Sequence, residues 1–252
     1  MSVLKLSLLT KSSSVKSFCR NPNMRKELNI SENFIAEITK NWQSCDLIVI
    51  SSRPGMGKTN FLLSLFQNET FQRVSSEFIS LNYDNICPNS EGEDRNSIGK
   101  QTENPTVSFM NIGDILNYLQ DLSKNKGIKY VFIDNIELIG DNISDILLQL
   151  KTAAKELSII IITTIPLDKA CKSEHTKPTL AALKRKIPLI ERIADFIFLI
   201  HRPIYYSLRP TDASLALIII AKNKGGETGY FPVCLNKKSH LFEDFDLSKI
   251  TG

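Results

Sequence analysis

Residues 46–66 read DLIVISSRPGMGKTNFLLSLF, and this stretch carries the strongest indication of the fold class. An apolar run, 46–51, precedes a glycine-containing segment, 52–59, and apolar residues then follow at the three- and four-residue spacing of a helix. A strand, a glycine loop and a helix in this order are the context that a phosphate-binding loop requires. The stretch therefore predicts an α/β fold with a phosphate site at the end of a buried strand.

The residue types in the loop suit a nucleoside triphosphate, as in a P-loop (Walker A) segment. Gly55 and Gly57 allow successive backbone N–H groups to point at a phosphate, and the helix N-terminus adds its positive dipole end. Lys58 is expected to reach the β- and γ-phosphates, and the Thr59 hydroxyl to hold Mg²⁺. Ser52 stands where the general pattern has its first glycine, so a chance glycine turn is the alternative. The predicted ATP-Mg²⁺ site comprises Ser52, Arg53, Pro54, Gly55, Met56, Gly57, Lys58, Thr59 and Asn60.

A second element supports the same site. The run KYVFID, residues 129–134, ends in Asp134, which places a carboxylate at the C-terminal end of a predicted buried strand. Ligands of open α/β sheets bind at that end of the strands, and a Mg²⁺ ion with its water ligands needs an oxygen acceptor there. Asp134 is therefore predicted to support the metal, although a lone aspartate at this position is more often a cap for the next turn.

Strand and helix patterns alternate along the rest of the chain, which is typical of a parallel sheet with crossover helices. Predicted strands span 46–51, 77–81, 129–133, 158–163 and 195–200, and three later runs, 215–221, 230–235 and 240–242, are predicted to add antiparallel strands at one edge. Helical periodicity covers 112–122, with Asn111 as its N-cap, and 143–157. The polar stretch 84–104 is predicted to be a long exposed loop. The expected fold is a mostly parallel central sheet flanked by helices, with antiparallel edge strands.

Composition sets further limits. The 252 residues suffice for one α/β domain with short appendages, and no apolar run is long enough to cross a bilayer. Five widely spaced cysteines favour a reducing compartment and argue against structural zinc. Six basic residues precede Glu27, the first acidic one, so residues 1–29 are predicted to form a basic arm. Such an arm suits either a cytoplasmic, nucleoid-associated protein or an organellar transit peptide leading to the matrix.

Several segments taken in order resemble the C-terminal domain of DnaB-type replicative DNA helicases. The loop RPGMGKT is similar to the phosphate loop of that family, and FIDNIELI is similar to its strand ending in Asp followed by Leu-Gln-Leu-Ile. Further similar segments are AKELSIIIITT, ADFIFLIHRPIYY, IIIAKNKGGETG and LNKKSHLFE. The resemblance covers roughly residues 30–245, leaving 246–252 as a tail, and the N-terminal helical domain of the family has no counterpart in the sequence.

The resemblance implies a RecA-like ATPase core that assembles as a hexameric ring, with nucleotide between subunits and single-stranded DNA in the channel. It implies catalytic roles for Lys58 and Asp134, and for Lys222 and Lys224, which would reach the γ-phosphate of a neighbouring subunit. Lys224 replaces the usual arginine of the family, which keeps the charge but loses the planar fork. The two tyrosines, Tyr205 and Tyr206, either flank the base or serve as packing groups.

Other departures concern hydrolysis. The second core strand of the family ends in Ser-Leu-Glu, whose glutamate activates the attacking water, whereas this chain has Asn82 there. An amide cannot take a proton, so hydrolysis is expected to be slow unless Asp84 or Glu137 substitutes. Pro166 stands where the family has a sensor glutamine.

Basic residues are concentrated between Lys169 and Arg192, where the family has a channel loop facing DNA. Contacts of lysine and arginine with a nucleic-acid backbone are independent of sequence, which suits a translocating motor. The alternative is a solvated loop with charges on helix surfaces. Within this window, the residues predicted to contact DNA are Lys177, Lys184, Arg185 and Lys186.

Two functions remain open at this point. The first is an ATP-dependent, ring-forming DNA helicase or helicase-like ATPase of replication. The second is a hydrolysis-impaired ATP-binding subunit with a structural or regulatory role, joining a related helicase. Asn82, Pro166 and Lys224 favour the second function, and the intact Lys58 and Thr59 favour the first.

Overall fold

The computed structural model describes residues 33–81, 111–167, 177–205 and 214–245. The predicted arm 1–29, the predicted loop 84–104, the tail 246–252, Asn82 and Tyr206 lie outside the described residues. No helix within the described ranges is both long enough and apolar enough to span a membrane.

Eight strands in the described part of the chain form one sheet, in the order β2-β3-β4-β1-β5-β6-β7-β8. The five strands from β2 to β5 in this order run parallel, and β6, β7 and β8 are added antiparallel beyond β5. Their bounds are Leu47–Ser52 (β1), Ser76–Ser80 (β2), Tyr130–Asp134 (β3), Ile160–Pro166 (β4), Phe196–His201 (β5), Leu215–Asn223 (β6), Gly229–Leu235 (β7) and Phe242–Asp244 (β8).

The helices connect these strands and cover both faces of the sheet. They are Phe34–Thr39 (α1), Lys58–Phe66 (α2), Glu69–Gln72 (α3), Ile112–Lys126 (α4), Ile143–Leu157 (α5), Leu180–Lys186 (α6) and Ile190–Ile193 (α7), with short 3-10 turns at Ile136–Leu138 and Pro203–Tyr205. Asn111 caps α4 in a capping box with Asp114, so the predicted start of this helix is confirmed.

Two apolar clusters fill the space between the sheet and the helix layers. Leu47 and Val49 of β1 point into the cluster beneath α4 to α7, whereas Ile48 and Ile50 point into the cluster beneath α1 to α3. Side chains alternate between the two faces along a strand, so a central strand that is covered on both sides must be apolar throughout. This requirement explains why β1 and β5 are buried along their whole length.

The predicted architecture is therefore confirmed: a mostly parallel sheet between helices, with three antiparallel strands at one edge. The parallel arrangement brings the carboxyl ends of β1, β3, β4 and β5 to the same edge of the sheet. We call this the carboxyl edge. The glycine loop follows β1 at this edge, and Asp134 ends β3 there.

Candidate nucleotide site

The glycine loop begins at a rigid point of the sheet. Ser52, the last residue of β1, is fully buried and lies between Pro166 of β4 and Ile200 of β5. Its carbonyl oxygen accepts a hydrogen bond from the backbone N–H of Leu167 at 2.8 Å, and its hydroxyl donates to the Arg53 carbonyl oxygen at 2.9 Å. The serine at the usual glycine position is therefore accommodated inside the sheet, with its hydroxyl satisfied locally.

Two glycines give the loop its shape. Gly55 has φ +78° and Gly57 has φ +91°, which is backbone that residues other than glycine rarely adopt. Gly57 is the N-cap of α2, and it offers no side chain to the first turn of that helix. The first N–H groups of a helix lack intrahelical acceptors, so the start of α2 presents donors and the positive end of the helix dipole. This arrangement suits a bound phosphate.

Asp134 lies directly across from the start of α2. Its Oδ2 atom accepts a hydrogen bond from the Thr59 hydroxyl at 2.7 Å, and its Oδ1 atom accepts one from the Thr164 hydroxyl at 2.5 Å. The Asn135 side-chain amide donates to Oδ2 at 3.1 Å. Asp134 is only 1% exposed, so these three donors hold the carboxylate in one orientation.

Lys58 completes this arrangement. Burial lowers the pKa of its amine, and the nearby carboxylates of Glu137 and Asp134 oppose that shift. Lys186 adds a second positive charge close by, which lowers the pKa of Lys58 further. Burial raises the pKa of Glu137, while Lys58 and Lys186 lower it. The site thus brings two cations and two carboxylates to the carboxyl edge, beside the glycine loop.

These residues suit Mg²⁺ bound to a triphosphate. Mg²⁺ prefers hydroxyl, carboxylate and water oxygens, and the Thr59 hydroxyl and the Asp134 carboxylate are the oxygen donors that the fold places together. When the metal is bound, it would supply charge neutralisation for the phosphates. Thr59 would be its direct ligand, and Asp134 would accept hydrogen bonds from its water ligands.

Other predicted loop residues make contacts within the protein. Arg53 and Met56 are buried, whereas Pro54 and Gly55 are exposed at the tip of the loop. The side-chain amide of Asn60 donates to the carbonyl oxygen of His240 at 2.8 Å, which ties the start of α2 to the turn before β8. The Asn60 side chain therefore stabilises the start of α2 through a contact within the protein.

Lys222 and Lys224 lie at the opposite end of the strands from the carboxyl edge. Because β6 runs antiparallel to β5, Lys222 pairs with Ile197 near the start of β5, about 10 Å along that strand from the loop end. Its amine donates to the carbonyl oxygen of Glu191 at 2.8 Å and to that of Ala194. The amine of Lys224 donates to the buried carboxylate of Asp46 at 2.7 Å. This position separates both lysines from the glycine loop of their own chain.

The four residues predicted to contact DNA occupy separate positions. Lys177 lies over the ring of Tyr230, 5.1 Å from its centroid. Lys184 on α6 pairs with Glu191, and Arg185 follows it in the same last turn of the helix. The amine of Lys186 donates to the Pro166 carbonyl oxygen at 2.9 Å, and its charge acts on Lys58. The structure thus places Lys186 beside the nucleotide site.

The sequence does not identify two residues as part of this site. Thr164 holds Asp134 from β4, and its only signal in the sequence is a pair of hydroxyl residues near the end of a buried strand. For Lys186, the local density of positive charge predicts a DNA contact instead. Its contact with Pro166 depends on how α6 packs, which the sequence does not reveal.

Known proteins resemble this chain in sequence and in fold. The family model for the DnaB-like helicase C terminal domain matches residues 102–244, which is more than half of the chain. The chain belongs to this family. A relative is the "Replicative DNA helicase DnaC" of Bacillus subtilis (strain 168), 25% identical over 247 residues, which cover 83% of this chain and 54% of that protein. The chain thus spans about half the length of the curated relatives it matches.

Solved structures show the same fold. One of them, an ATPase domain, superposes with a TM-score of 0.68 at 20% identity, covering 96% of this chain and 99% of that one. A second, "The Structure Of A DnaB-Like Replicative Helicase And Its Interactions With Primase", gives a TM-score of 0.69 at 20% identity and covers 97% of this chain and 71% of that one. The described fold is therefore the RecA-like fold of DnaB-type ATPase domains, as the resemblance implied.

Proposed function

We propose that this chain is an ATP-dependent motor domain of DNA replication that binds Mg·ATP at the glycine loop and moves on single-stranded DNA. The observation that carries the proposal is the 2.7 Å contact between the Thr59 hydroxyl and the Asp134 carboxylate, beside Lys58 at the start of α2. Two residues 75 positions apart meet only because β1 and β3 end at the same edge. Family membership makes a helicase ATPase the natural use of such a site.

Each residue at the site has a part in this proposal. The loop backbone and the first turn of α2 bind the phosphates, and Lys58 contacts the β- and γ-phosphates. Thr59 and Asp134 hold the Mg²⁺ ion and its water ligands. Burial makes these contacts stronger than they would be in water, because the local dielectric constant is lower. Residues 30–245 are proposed to form this motor core.

We further propose that Lys222 and Lys224 serve the nucleotide of a neighbouring subunit in a ring, hexameric as in the family. Their position at the opposite edge of the sheet excludes a direct part in their own site, which is consistent with action on a second copy of the chain. The side chain of Lys224 is 49% exposed, and its amine would have to leave Asp46 to reach such a partner.

Single-stranded DNA is the proposed polymer substrate. Lys177, Lys184 and Arg185 supply positive charge around α6, and backbone phosphates would be neutralised there. Lys186 is proposed to contact DNA only when its amine does not interact at the nucleotide site. Removing one phosphate contact is expected to reduce the slope of log affinity against log salt by about 0.7 for single strands. Lys184→Ala and Arg185→Ala, each measured over a range of salt, test this assignment.

The test of the main proposal measures ATP turnover with and without single-stranded DNA, together with the affinity for Mg·ATP. Wild type is expected to bind Mg·ATP and to show turnover that DNA stimulates, and Lys58→Ala is expected to lose both. Lys155→Ala, which removes an exposed lysine on α5, is the matched control. Failure of the wild-type chain to bind Mg·ATP refutes the proposal.

One observation favours a second function. Asn82 replaces the glutamate that the family uses to activate water, so a chain that binds nucleotide without hydrolysing it would act as a structural or regulatory subunit of a related helicase ring. Mg·ATP binding without turnover above that of Lys58→Ala supports this alternative. DNA-stimulated turnover excludes it.

A further inference from the structure

Hydrolysis of a phosphoanhydride requires a group that orients the attacking water and accepts its proton. Among the described residues, two carboxylates act on Lys58 at the glycine loop, those of Asp134 and Glu137. The oxygens of Asp134 are already committed to Thr59, Thr164 and Asn135. Asp134 is therefore poorly placed to accept a proton from water.

Glu137 differs from Asp134 in this respect. Its Oε2 atom is buried and has no hydrogen-bond partner among the described residues, although its carboxylate accepts a hydrogen bond from its own backbone N–H. Glu137 sits in the 3-10 turn Ile136–Leu138 directly after β3. Asn135, two residues before Glu137, has φ +60°, and this conformation turns the chain sharply at the carboxyl edge. This turn keeps Glu137 close to Asp134 and to Lys58.

A buried oxygen without a partner normally destabilises a folded protein. Such groups persist where they serve a ligand or a reaction, which makes Glu137 a candidate for function. Two cations from other elements, Lys58 on α2 and Lys186 at the end of α6, act on this carboxylate. The Lys186 amine is itself anchored on the Pro166 carbonyl oxygen. Burial raises the pKa of the Glu137 carboxyl, and the charges of Lys58 and Lys186 oppose that rise.

We propose that Glu137 is the catalytic residue that orients and deprotonates the water attacking the γ-phosphate. This inference rests on the proposed ATPase function. It assigns the carboxylate role to the turn after β3, whereas the family pattern assigns it to the end of the second core strand, where this chain has Asn82. The resemblance implies a glutamine at the position of Glu137, so the two changes together move the carboxylate from one strand end to the next.

In the proposed step, the water oxygen forms a bond to the γ-phosphorus while the bond from that phosphorus to the bridging oxygen breaks. The bridging oxygen leaves with the electron pair as part of ADP. The proton of the water passes to the Glu137 carboxylate and is then released to the phosphate product or to solvent. Lys186 offsets the negative charge around Glu137 before the transfer. β2 and β3 are adjacent and parallel, with Ser80 paired to Asp134, so the turn that carries Glu137 follows the strand next to β2.

Glu137→Gln tests the proposal, because glutamine has the same shape but cannot accept the proton. We expect turnover of Mg·ATP to fall by about 100-fold or more, with the affinity for Mg·ATP unchanged. A second measurement does not depend on turnover: the variant is expected to lose affinity for Mg·ADP with aluminium fluoride, which mimics the transition state. Glu156→Gln, at an exposed carboxylate on α5, is the matched control and is expected to keep wild-type turnover.

Each outcome bears on either Glu137 or the ATPase site as a whole. Wild-type turnover in Glu137→Gln overturns the role of Glu137 and leaves the ATPase proposal standing. Mg·ATP binding by the wild-type chain without turnover also overturns it. Failure to bind Mg·ATP refutes the proposed function itself. The melting temperature of Glu137→Gln is expected not to fall, since the carboxylate oxygen has no partner to lose, and a large fall that explains the lost turnover would assign a structural role instead.

Discussion

Replacement of Gly57 by alanine tests how the glycine loop is built. Gly57 has φ +91°, and a Cβ atom at this position would lie 3.2 Å and 3.3 Å from two ring atoms of Phe242. Phe242 is itself buried and packs edge-on against Phe61, with 5.6 Å between the ring centroids. The ring therefore has little room to move away from the new methyl group.

The expected destabilisation has two parts. A residue with a side chain in the left-handed region costs about 1–2 kcal/mol. Pushing a buried ring aside by a few tenths of an ångström adds about 1 kcal/mol, the lower end of the range for overpacked cores. Gly57→Ala should therefore reduce the free energy of unfolding by about 2–3 kcal/mol. It should also weaken Mg·ATP binding, because the backbone that is proposed to contact the phosphates must shift.

Gly225→Ala is the matched control for the first part. Gly225 has φ +77° with nothing within 4 Å of the Cβ position, so only the conformational cost applies, about 1–2 kcal/mol. Urea unfolding of both variants, and of Gly57→Ala combined with Phe242→Leu, separates the parts. The smaller leucine should reduce the cost at Gly57 to that seen at Gly225. Equal destabilisation by Gly57→Ala and Gly225→Ala would refute the contact with Phe242 as a constraint on the loop.

Three further predictions concern charged groups. Asp134→Asn should weaken Mg²⁺-dependent ATP binding by about 10- to 100-fold, measured by titration calorimetry with and without Mg²⁺, and unchanged affinity would contradict its role at the metal. Burial lowers the pKa of His201 from 6.5 to about 3. The unfolded chain therefore binds the proton first as the pH falls. The folded state loses stability below pH 6.5, by about 2 kcal/mol at pH 5. His201→Gln should flatten this acid loss in urea unfolding, and an unchanged slope would contradict the assignment. Lys224→Ala leaves the fully buried Asp46 without its cation, so the free energy of unfolding should fall by about 1–2 kcal/mol, measured by thermal unfolding. The double variant Lys224→Ala with Asp46→Asn should recover part of this loss.

The order of strands and helices could be predicted because the central strands must be apolar on both faces. The observed bounds of β1 and β3 differ from the predicted ones by one residue at each end, and those of β4 differ by two to three. The third antiparallel strand, predicted at 240–242, lies two residues later at Phe242–Asp244. The pairing of β8 with β7, which the sequence does not specify, sets its bounds.

The meeting of Thr59 and Asp134 could also be predicted, because each follows or ends a parallel strand and all such ends share one edge. The packing behind the loop could not. Phe242 restricts Gly57 from 185 positions away in the chain, and nothing in the local sequence marks that contact. The same holds for Thr164, which becomes part of the site only through the pairing of β3 with β4.

The density of basic residues in the sequence does not indicate where each side chain points. Lys184, Arg185 and Lys186 are consecutive, but successive residues on a helix point about 100° apart, so they cannot all face one ligand. The structure separates them: Lys184 pairs with Glu191 outside the site, whereas Lys186 reaches back to Pro166 and the nucleotide site. A cluster of basic residues in the sequence identifies a region of the chain. The direction in which each side chain points depends on its position around the helix.

In the proposed ring, the two ends of the strands would contribute different parts of the reaction centre. The carboxyl edge carries the glycine loop and its carboxylates, while Lys222 and Lys224 lie at the other end of the strands. Both lysines are satisfied within their own chain, by carbonyl oxygens near α7 and by Asp46. In the proposed ring, a triphosphate bound to the neighbouring subunit would compete with these contacts for the lysines. A multiply charged phosphate is a stronger acceptor than a carbonyl oxygen, so Lys222 should be released more readily than Lys224, whose present partner is a buried carboxylate.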